Sequence, residues 1–457
     1  MKQWFGLLGV SLAITLGAGV TFAAENVYQA PDPEPTNDET LILELMNRFR
    51  ADPTNEVERW KGGNPWGGID QQMFLKEMKE LTPSPPLVFN LKLLEAARKH
   101  SHYMILNGLG HEEDPSKAGF TGKGPGDRAK LAGYQSGGWG ENAFRDPGSA
   151  YRSHVGFIVD AGAGPGNMQP GRGHRTNMMS KGYREVGPSA VPHGGENVSV
   201  THLFGAGNGV RFCGGVVYLD KNNNHFYDPG EGIGELKIIA SDGTSCSTWK
   251  SGAFTLNLKS AGPVTIITEY AGERKTQTFQ AGKENIKFDF EISPEVHYKK
   301  ADQLMAAVTA AGKDDAKLFV AKVNLLEDSR TLYLDTERQN KIKELTDGLP
   351  AEIETHKSAV ITALKDFKDV QTYSTVLNEH RKPFRGTKLE VWFTQAESAA
   401  KAAQLVISYG QKVASAKLTG LKAPDVATTK ATIDEMKKTV LSTDLQGVLD
   451  ELKNKIG

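Results

Sequence analysis

Two histidines and one glutamate lie in glycine-rich segments between a predicted helix and a predicted strand. His111 follows Gly110, Glu141 is the centre of Gly140-Glu141-Asn142, and His174 is the centre of Gly173-His174-Arg175. Two imidazoles and a carboxylate are the side chains that build a divalent-metal site or an acid–base centre. Glycine-rich segments run over a surface or line a cleft. Whether these three residues meet in one place decides which chemistry they can do.

A second chemical signal is the segment from Asp220 to Glu231, which has the sequence DKNNNHFYDPGE. Its oxygen-bearing side chains stand at spacings that suit a hard cation such as Ca²⁺, and a backbone carbonyl is available at the seventh position. His225 replaces the glycine of an EF-hand loop, and the flanking runs predict strands, so an EF-hand is not expected. The alternative is a polar turn without metal. The expected ligands are Asp220, Asn222, Asn224, Phe226, Asp228 and Glu231.

Length and charge narrow the function classes. A chain of 457 residues predicts two to three domains. The net charge of -1 gives no overall attraction to nucleic acid or to anionic membranes. The two cysteines, Cys213 and Cys246, are expected to form a disulfide in an oxidising compartment, with two separate buried thiols as the alternative. Neither lies in a Cys-x-x-Cys motif, which argues against thiol catalysis.

The N-terminus predicts export. Lys2, an apolar run over residues 5–20 and the small residues of Thr21-Phe22-Ala23 are typical of a signal peptide over residues 1–23. The apolar run is shorter than the roughly 20 residues of a spanning helix. Residues 24–35 are expected to be a linker. We therefore expect a secreted or periplasmic protein that is not transmembrane.

Residues 36–205 have the pattern of an α+β domain. Thr36 and Glu39 form a capping box before an apolar helical face, and a second helix is predicted from Asn90 to a stop at Gly108. Strand-like runs at 185–191 and 197–204 close the region.

The composition changes twice in the rest of the chain. Residues 210–293 contain short β-branched runs between turns and predict an all-β, Ig-like sandwich. Residues 296–457 are rich in helix formers and predict an all-α helical bundle of unassigned role, with Trp392 and Phe393 in its core. The expected fold class is thus multidomain: α+β, then all-β, then all-α.

The motifs of residues 36–204 also resemble the CAP superfamily of cysteine-rich secretory, antigen and pathogenesis-related (SCP-like) proteins, in its bacterial form. The resemblance implies an α-β-α sandwich around an open cleft. The matching segments are residues 43–53, Leu94-Glu95-Ala96-Ala97, His100-Ser101, Met104, Gly110-His111, Gly140-Glu141-Asn142-Ala143, Gly173-His174-Arg175-Thr176-Asn177-Met178-Met179 and Tyr183-Arg184-Glu185-Val186-Gly187.

In that family the cleft gathers two histidines and two acidic residues that bind a divalent cation in some members. The resemblance carries this role to His111, Glu141 and His174, and to Asp127 in preference to Glu113 as the fourth residue. Three ligands and an open position suit Zn²⁺ or a similar ion. The alternative is a hydrogen-bonded network that fixes the cleft without a metal.

Neighbouring residues have subordinate expected roles. His100 falls on the apolar side of its helix and is expected in the core, whereas His154 is expected to line the cleft. Asp160 and Arg175 are expected to orient the ligands from behind.

The segment from about 211 to 292 resembles the B-type (SdrD B-like) repeats of bacterial surface adhesins. The resemblance implies a β-sandwich made rigid by Ca²⁺, and the polar loop at Asp220 is the part that would hold the ion.

Three functions remain open. The favoured one is a secreted, non-enzymatic protein that binds a cation or small ligand in its cleft, because no motif places a Ser, Cys or Thr nucleophile beside a base and no catalytic residue is assigned. The second is a metal-dependent, peptidase-like hydrolase that uses His111, Glu141 and His174. The third is a structural or adhesive surface protein. The partner would be a small ligand, a lipid or a cell-surface component, and not a nucleic acid.

Overall fold

A capping box begins the first helix in the computed structural model, which describes residues 26–60, 67–195, 197–419 and 424–456. The Thr36 hydroxyl accepts a hydrogen bond from the Glu39 backbone N–H, and the Glu39 carboxylate accepts one from the Thr36 N–H at 2.8 Å. Both bonds satisfy N–H groups at the helix start, and they confirm the predicted box. The predicted signal peptide over residues 1–23 lies outside the described residues, as do the first two residues of the predicted linker.

The described chain divides into two compact units, one ending at Ser293 and one beginning at Pro294. The first unit opens with a mixed helical and β region. Its helices are α1 (Asn37–Ala51), α2 (Gln71–Glu80), α3 (Leu91–Asn107), α4 (Pro125–Leu131), α5 (Ala150–Val159) and α6 (Gly173–Met179). Its strands are β1 (Val88–Phe89), β2 (Trp139–Phe144), β3 (Glu185–Pro192) and β4 (Val198–Gly205), in the sheet order β1-β3-β4-β2.

Helices cover both faces of this sheet. Because side chains alternate along a strand, neighbouring residues of β4 face different layers. Leu203 packs with Leu93 of α3, whereas Val200 belongs to a core that contains Phe49 of α1 and Ile158 of α5. The residues therefore form the helix–sheet–helix layers that were expected, and β2 is an edge strand of the sheet.

Helix α3 lies unusually close to the sheet at Gly187 of β3. A Cβ atom at this position would stand 2.1 Å from the carbonyl carbon of Leu93 and 2.1 Å from the backbone nitrogen of Leu94. Only glycine leaves room for the helix backbone here. This close approach sets the distance between the sheet and α3, the helix that carries His100.

The second part of the first unit contains two sheets. Its strands are β5 (Arg211–Leu219), β6 (Lys237–Ala240), β7 (Ser245–Ser247), β8 (Ala253–Leu258), β9 (Gly262–Tyr270), β10 (Glu273–Ala281), β11 (Ile286–Lys287) and β12 (Phe290–Ile292). One sheet has the order β10-β9-β6-β7, and in the other β5 pairs with β8, β11 and β12. The Phe288 ring lies 6.4 Å from Phe254 of β8 and 6.3 Å from Phe279 of β10, so aromatic packing joins the sheets. The Ig-like description stays a prediction.

The expected disulfide is absent from the structure. Cys213 on β5 and Cys246 on β7 belong to different sheets, and both are free thiols. Burial raises the pKa of the Cys213 thiol to about 12 and that of the Cys246 thiol to about 11. Both therefore remain protonated near neutral pH, which makes them poor nucleophiles.

The β region is docked on the helix–sheet region by specific polar contacts, which the sequence did not indicate. The Thr40 hydroxyl of α1 donates to the Ser251 hydroxyl at 2.8 Å, and both residues are buried. The Lys287 ammonium contacts the Glu44 carboxylate of α1 at 2.8 Å. Such contacts hold the β region against α1 within one compact unit.

The second unit is helical, as expected for residues 296–457. Its helices are α7 (Glu295–Ala311), α8 (Asp315–Ser329), α9 (Thr336–Leu345), α10 (Leu349–Lys365), α11 (Val370–Arg381), α12 (Glu390–Thr419), α13 (Val426–Lys438) and α14 (Thr443–Asn454). Phe393 and Trp392 are buried in a core shared by α10 to α14, which confirms their predicted core position. Among the described residues, no helix combines the length and apolarity that crossing a bilayer requires.

We predict that Gly187→Val strongly destabilises the first unit. The new side chain would collide with the backbone of α3, and overpacking of this kind lowers the free energy of unfolding by about 1–3 kcal/mol, or more where backbone must move. Urea unfolding followed by circular dichroism measures the loss. Gly282→Ala is the matched control, since its Cβ has open space. Equal stability of the two variants would contradict the close approach.

Candidate functional site

An imidazole–carboxylate pair lies on the α3 side of the edge strand. His111 follows α3, and its Nδ1 is 2.9 Å from Oε1 of Glu141 on β2. The His111 side chain is 54% exposed, whereas that of Glu141 is 2% exposed. The hydrogen bond to Glu141 raises the pKa of His111 above its ordinary value of 6.5. The pair thus presents a solvent-accessible ring held from beneath by a buried carboxylate.

Arg128 of α4 holds this pair in place. Its Nη2 donates to Oε2 of Glu141 at 2.6 Å and to the backbone carbonyl of His111 at 3.0 Å. Burial alone would raise the pKa of Glu141, but the hydrogen bond from His111 and the positive charge of Arg128 lower it instead. The carboxylate is therefore ionised at neutral pH, with its two oxygens directed to different partners.

His100 and Glu113 complete a buried ion cluster with Arg128 and Glu141. The His100 Nδ1 lies 2.8 Å from Oε1 of Glu113, and its Nε2 lies 2.9 Å from the Gly110 carbonyl. Both ring nitrogens therefore face oxygen atoms, one from a carboxylate and one from the backbone. His100 is in the core as predicted, yet it also lies 3.7 Å from Oε1 of Glu141.

The structure reverses the choice between Asp127 and Glu113. Asp127 is the third residue of α4, and its carboxylate accepts the Gly124 backbone N–H at 3.1 Å, so it caps its own helix. Glu113 instead is buried, 2% exposed, and accepts the Thr121 backbone N–H at 2.6 Å within the ion cluster. Because α4 begins at Pro125, an acid at position 127 folds back on the helix start rather than into the cleft.

A second imidazole–carboxylate pair joins His174 and Asp160. Oδ1 of Asp160 lies 2.7 Å from the His174 Nδ1, and Oδ2 accepts the His174 backbone N–H at 3.1 Å. Asp160 ends α5 in the left-handed conformation, with φ of 57°, and is 1% exposed. A buried non-glycine residue in this conformation is strained, and such strain is typical of functional positions. Its predicted orienting role agrees with these contacts.

Strand β2 separates the two pairs. Glu141 is in register with Leu203, which faces α3, whereas Asn142 is in register with His202, whose ring centroid is 4.6 Å from that of Phe157 on α5. Successive side chains of a strand point to opposite faces. The Glu141 carboxylate therefore lies on the α3 face, and Asn142 lies on the α5 face.

His174 is on the same side as Asn142, whose amide donates to the His174 carbonyl at 3.1 Å. As a result, the predicted three-ligand site of His111, Glu141 and His174 is not assembled within coordination distance. Among the described residues, one group of three such side chains has its ligand atoms within 4.8 Å of one another, and it consists of Asp220, His225 and Glu291.

Other predicted neighbours have different partners. His154 is fully buried on α5 with its Nε2 3.0 Å from Glu56, so the prediction that it lines the cleft is wrong. The Arg175 guanidinium donates to the Ile158 carbonyl at 2.6 Å and to Glu77, and it braces the end of α5. His154 lies three residues before the buried Phe157 on α5, so the helical repeat places both side chains on the same face.

His202 was missed by sequence reasoning. It is fully buried on β4, and neither ring nitrogen has a hydrogen-bond partner among the described residues. Burial holds the pKa of His202 well below its ordinary value of 6.5, and the nearby His154 and His174 act in the same direction. It is therefore a neutral imidazole in the core behind the second pair. Its sequence neighbours are those of an ordinary β-strand, so no local pattern indicated a buried histidine here.

The polar loop of the β region draws its oxygen-bearing side chains together. Oδ1 of Asp220 accepts the Asn224 backbone N–H at 3.1 Å, and Oδ2 of Asp228 lies 2.7 Å from the side-chain amide nitrogens of both Asn222 and Asn224. Glu231 is buried and accepts the Asp228 backbone N–H at 3.0 Å. Burial raises the pKa of Glu231, and the charges of Asp228 and Asp220 add to that effect.

His225 and Glu291 extend the loop beyond the predicted residues. The His225 Nδ1 lies 2.7 Å from Oε1 of Glu291 on β12, and this hydrogen bond raises the pKa of His225. His225 has φ of 58°, in the left-handed region, at a strain of about 1 kcal/mol. Glu291 lies 66 residues further along the chain, so no local spacing could identify it.

Phe226, predicted to offer its carbonyl, also anchors the loop to the first domain. Its ring lies 4.5 Å from the Arg48 guanidinium of α1, a cation–π contact. The next residue, Tyr227, is buried against Leu41 and donates its hydroxyl to Asn37 at 3.2 Å. The loop is thus part of the interface with α1.

A four-stranded sheet between helices, with two carboxylate–imidazole pairs at its edge strand, defines the class of the first domain. Residues 43–204 match the family model described as CAP: Cysteine-rich secretory protein family. This segment is a CAP domain, and it contains His111, Glu141 and His174. No curated protein shows a significant match to the chain. The match ends before the β region, so its resemblance to adhesin repeats stays a prediction.

We predict that Glu141→Gln lowers the pKa of His111 toward its ordinary 6.5, because the charged acceptor is lost. In the wild type, the raised His111 pKa stabilises the folded state fully below pH 6.5, and this stabilisation is lost as pH rises through the folded-state pKa. The lowered Glu141 pKa stabilises the folded state above pH 4.5, and this stabilisation is lost as pH falls through the lowered pKa.

NMR titration of the imidazole resonances measures the His111 shift. Glu112→Gln is the control, since Glu112 is the exposed neighbour of the same residue. An unchanged His111 pKa in Glu141→Gln would contradict the contact.

Proposed function

We propose that the protein is a secreted, non-enzymatic binding protein whose CAP domain takes a divalent cation such as Zn²⁺ on the free Nε2 atom of His111. His174 with Asp160, on the other face of β2, offers a second and separate imidazole. The observation that carries the proposal is the pair of carboxylate–imidazole contacts, in which Glu141 and Asp160 each occupy an Nδ1. Metal-binding histidines commonly hold the second nitrogen in this way.

The electrostatics of the first pair favour an incoming cation. A metal at His111 would displace the proton that Glu141 stabilises, and the ionised carboxylate would then stabilise the ring and its bound cation. Glu141 acts here through the ring rather than as a direct ligand, because Arg128 holds its other oxygen at 2.6 Å. Affinity should therefore rise with pH as His111 loses its proton.

We propose a binding role rather than catalysis because the described cleft places no nucleophile beside either histidine. Within residues 67–195 and 197–419, no Ser, Thr or Cys side chain is hydrogen-bonded to the ring of His111 or His174. A metal-bound water could still hydrolyse a substrate, which is the rival function. Secretion rests on the signal-like sequence of residues 1–23.

We predict that Zn²⁺ binds the CAP domain at His111. In isothermal titration calorimetry of the full chain, His111→Ala should weaken this binding at least tenfold, whereas His174→Ala, on the other face of β2, should leave it unchanged. Glu141→Gln should weaken it by about 10–100-fold, the range typical of residues that orient a ligand. Binding should also strengthen from pH 6 to pH 8, about the range in which histidine loses its proton.

His102→Ala is the control, because the ring of this half-buried histidine packs against Tyr28, with centroids 5.5 Å apart, and belongs to neither pair. Zn²⁺ binding that is unchanged by His111→Ala would contradict the proposal. Peptide or ester hydrolysis that disappears in the same variant would replace it with the hydrolase.

We also propose that the polar loop holds Ca²⁺ and makes the β region rigid against α1. The convergence of Asp220, Asp228 and Glu231 supports this second site, since several carboxylates in one loop favour a hard cation. Glu291 adds a further oxygen close to Asp220. The same loop contacts α1 through Phe226.

We predict that Ca²⁺ raises the melting temperature of the wild type and that Asp220→Ala abolishes this rise. Differential scanning calorimetry with Ca²⁺ or with a chelator measures it, because a ligand that binds only the folded state stabilises it. Asp242→Ala, in a separate turn that binds Thr244, is the control. An equal Ca²⁺ response in Asp220→Ala would contradict the site.

A further inference from the structure

Two histidines face each other across a helix pair of the second unit. His356 lies on α10 and His380 lies on α11, and their Nδ1 atoms are 3.1 Å apart. The rings are nearly perpendicular, at 73°, with centroids 5.1 Å apart. Both residues are half-buried, so they remain open to solvent on one side.

Nothing in the function proposed for the CAP domain uses these residues. A contact between two neutral imidazoles needs one ring as donor and the other as acceptor. A cation placed between the same nitrogens would satisfy both lone pairs at once.

The spacing matches a shared metal ion. Zn²⁺ binds imidazole nitrogen at about 2.0–2.1 Å in tetrahedral geometry, which places two such nitrogens about 3.3 Å apart. The observed 3.1 Å separation is close to that value. Small rotations of the two rings would direct both lone pairs at one ion, without movement of the helices.

Charged side chains lie close to the pair. Glu352 lies one helical turn before His356, on the same face of α10. Its negative charge and that of Glu379 both act on the His356 ring, so the local field favours an incoming cation.

We propose that His356 and His380 form a site for a borderline divalent cation, such as Zn²⁺, Ni²⁺ or Cu²⁺, that clamps α10 to α11. Imidazole nitrogen selects these ions over Mg²⁺ and Ca²⁺. Water molecules complete the coordination. The two imidazole ligands determine this class of ion. Both belong to the second unit, so the site does not involve residues of the CAP domain.

The clamp connects to the core of the unit. The His356 ring makes an edge contact with Phe384, at 5.3 Å, and Phe384 stacks on Phe393 of α12 at 4.9 Å. A metal that fixes His356 therefore restrains a residue packed against the central core. Binding should raise the melting temperature of the second unit, because the ion binds only the folded helix pair.

The test uses the full chain with His111→Ala and His174→Ala already in place, which removes the cation site proposed for the CAP domain. Zn²⁺ is titrated into this background by isothermal titration calorimetry, and thermal unfolding is followed with and without the ion. His356→Gln and His380→Gln are each added, so that one variant remains informative if the other folds poorly. His102→Gln is the matched control, and the cysteines are the same throughout.

We expect the background to bind one Zn²⁺ that is lost, or weakened at least tenfold, in both His356→Gln and His380→Gln. The melting temperature should rise with Zn²⁺ in the background and in His102→Gln, but not in the two variants. Ca²⁺ should give no such rise at this site. Zn²⁺ binding that is absent from the background, or unaffected by both substitutions, would overturn the proposal and leave a hydrogen-bonded imidazole pair only. Failure of the CAP-domain site is seen separately, as wild-type binding that His111→Ala does not change.

Discussion

The ion pair between Arg128 and Glu141 is the contact on which the arrangement of the CAP cleft depends. Both side chains are buried, and the 2.6 Å contact fixes one carboxylate oxygen so that the other meets His111. Removal of one member of such a pair leaves a buried charge and destabilises a protein by about 3–5 kcal/mol. His100 and Glu113 pack against the same pair, and this buried cluster supports the exposed ring of His111.

Side-chain alternation along β2 then explains why the cleft has two imidazole–carboxylate pairs rather than one triad. Glu141 and Asn142 are adjacent in sequence but face opposite layers of the sheet. Each histidine therefore has its own carboxylate, Glu141 for His111 and Asp160 for His174. In this arrangement each acid fixes the orientation of its own ring.

Local signals predicted much of the fold, whereas contacts between distant segments were not predictable. The capping box at Thr36, the helix from Asn90 and the alternation of secondary-structure types are local patterns, and they agree with the structure. Family motifs pointed to His111 and His174, but deciding between Asp127 and Glu113 required knowing where α4 begins. The docking of the β region on α1, and the approach of Glu291 to the polar loop, join residues far apart in sequence.

The most direct test of the account is the position of bound Zn²⁺ in crystals of the full-length protein, located by anomalous scattering at the zinc edge. The account predicts a peak about 2.0–2.1 Å from Nε2 of His111, with Glu141 still on Nδ1. Zinc that occupies other sites while His111 has none, or that binds Glu141 directly after displacing it from the ring, would contradict it.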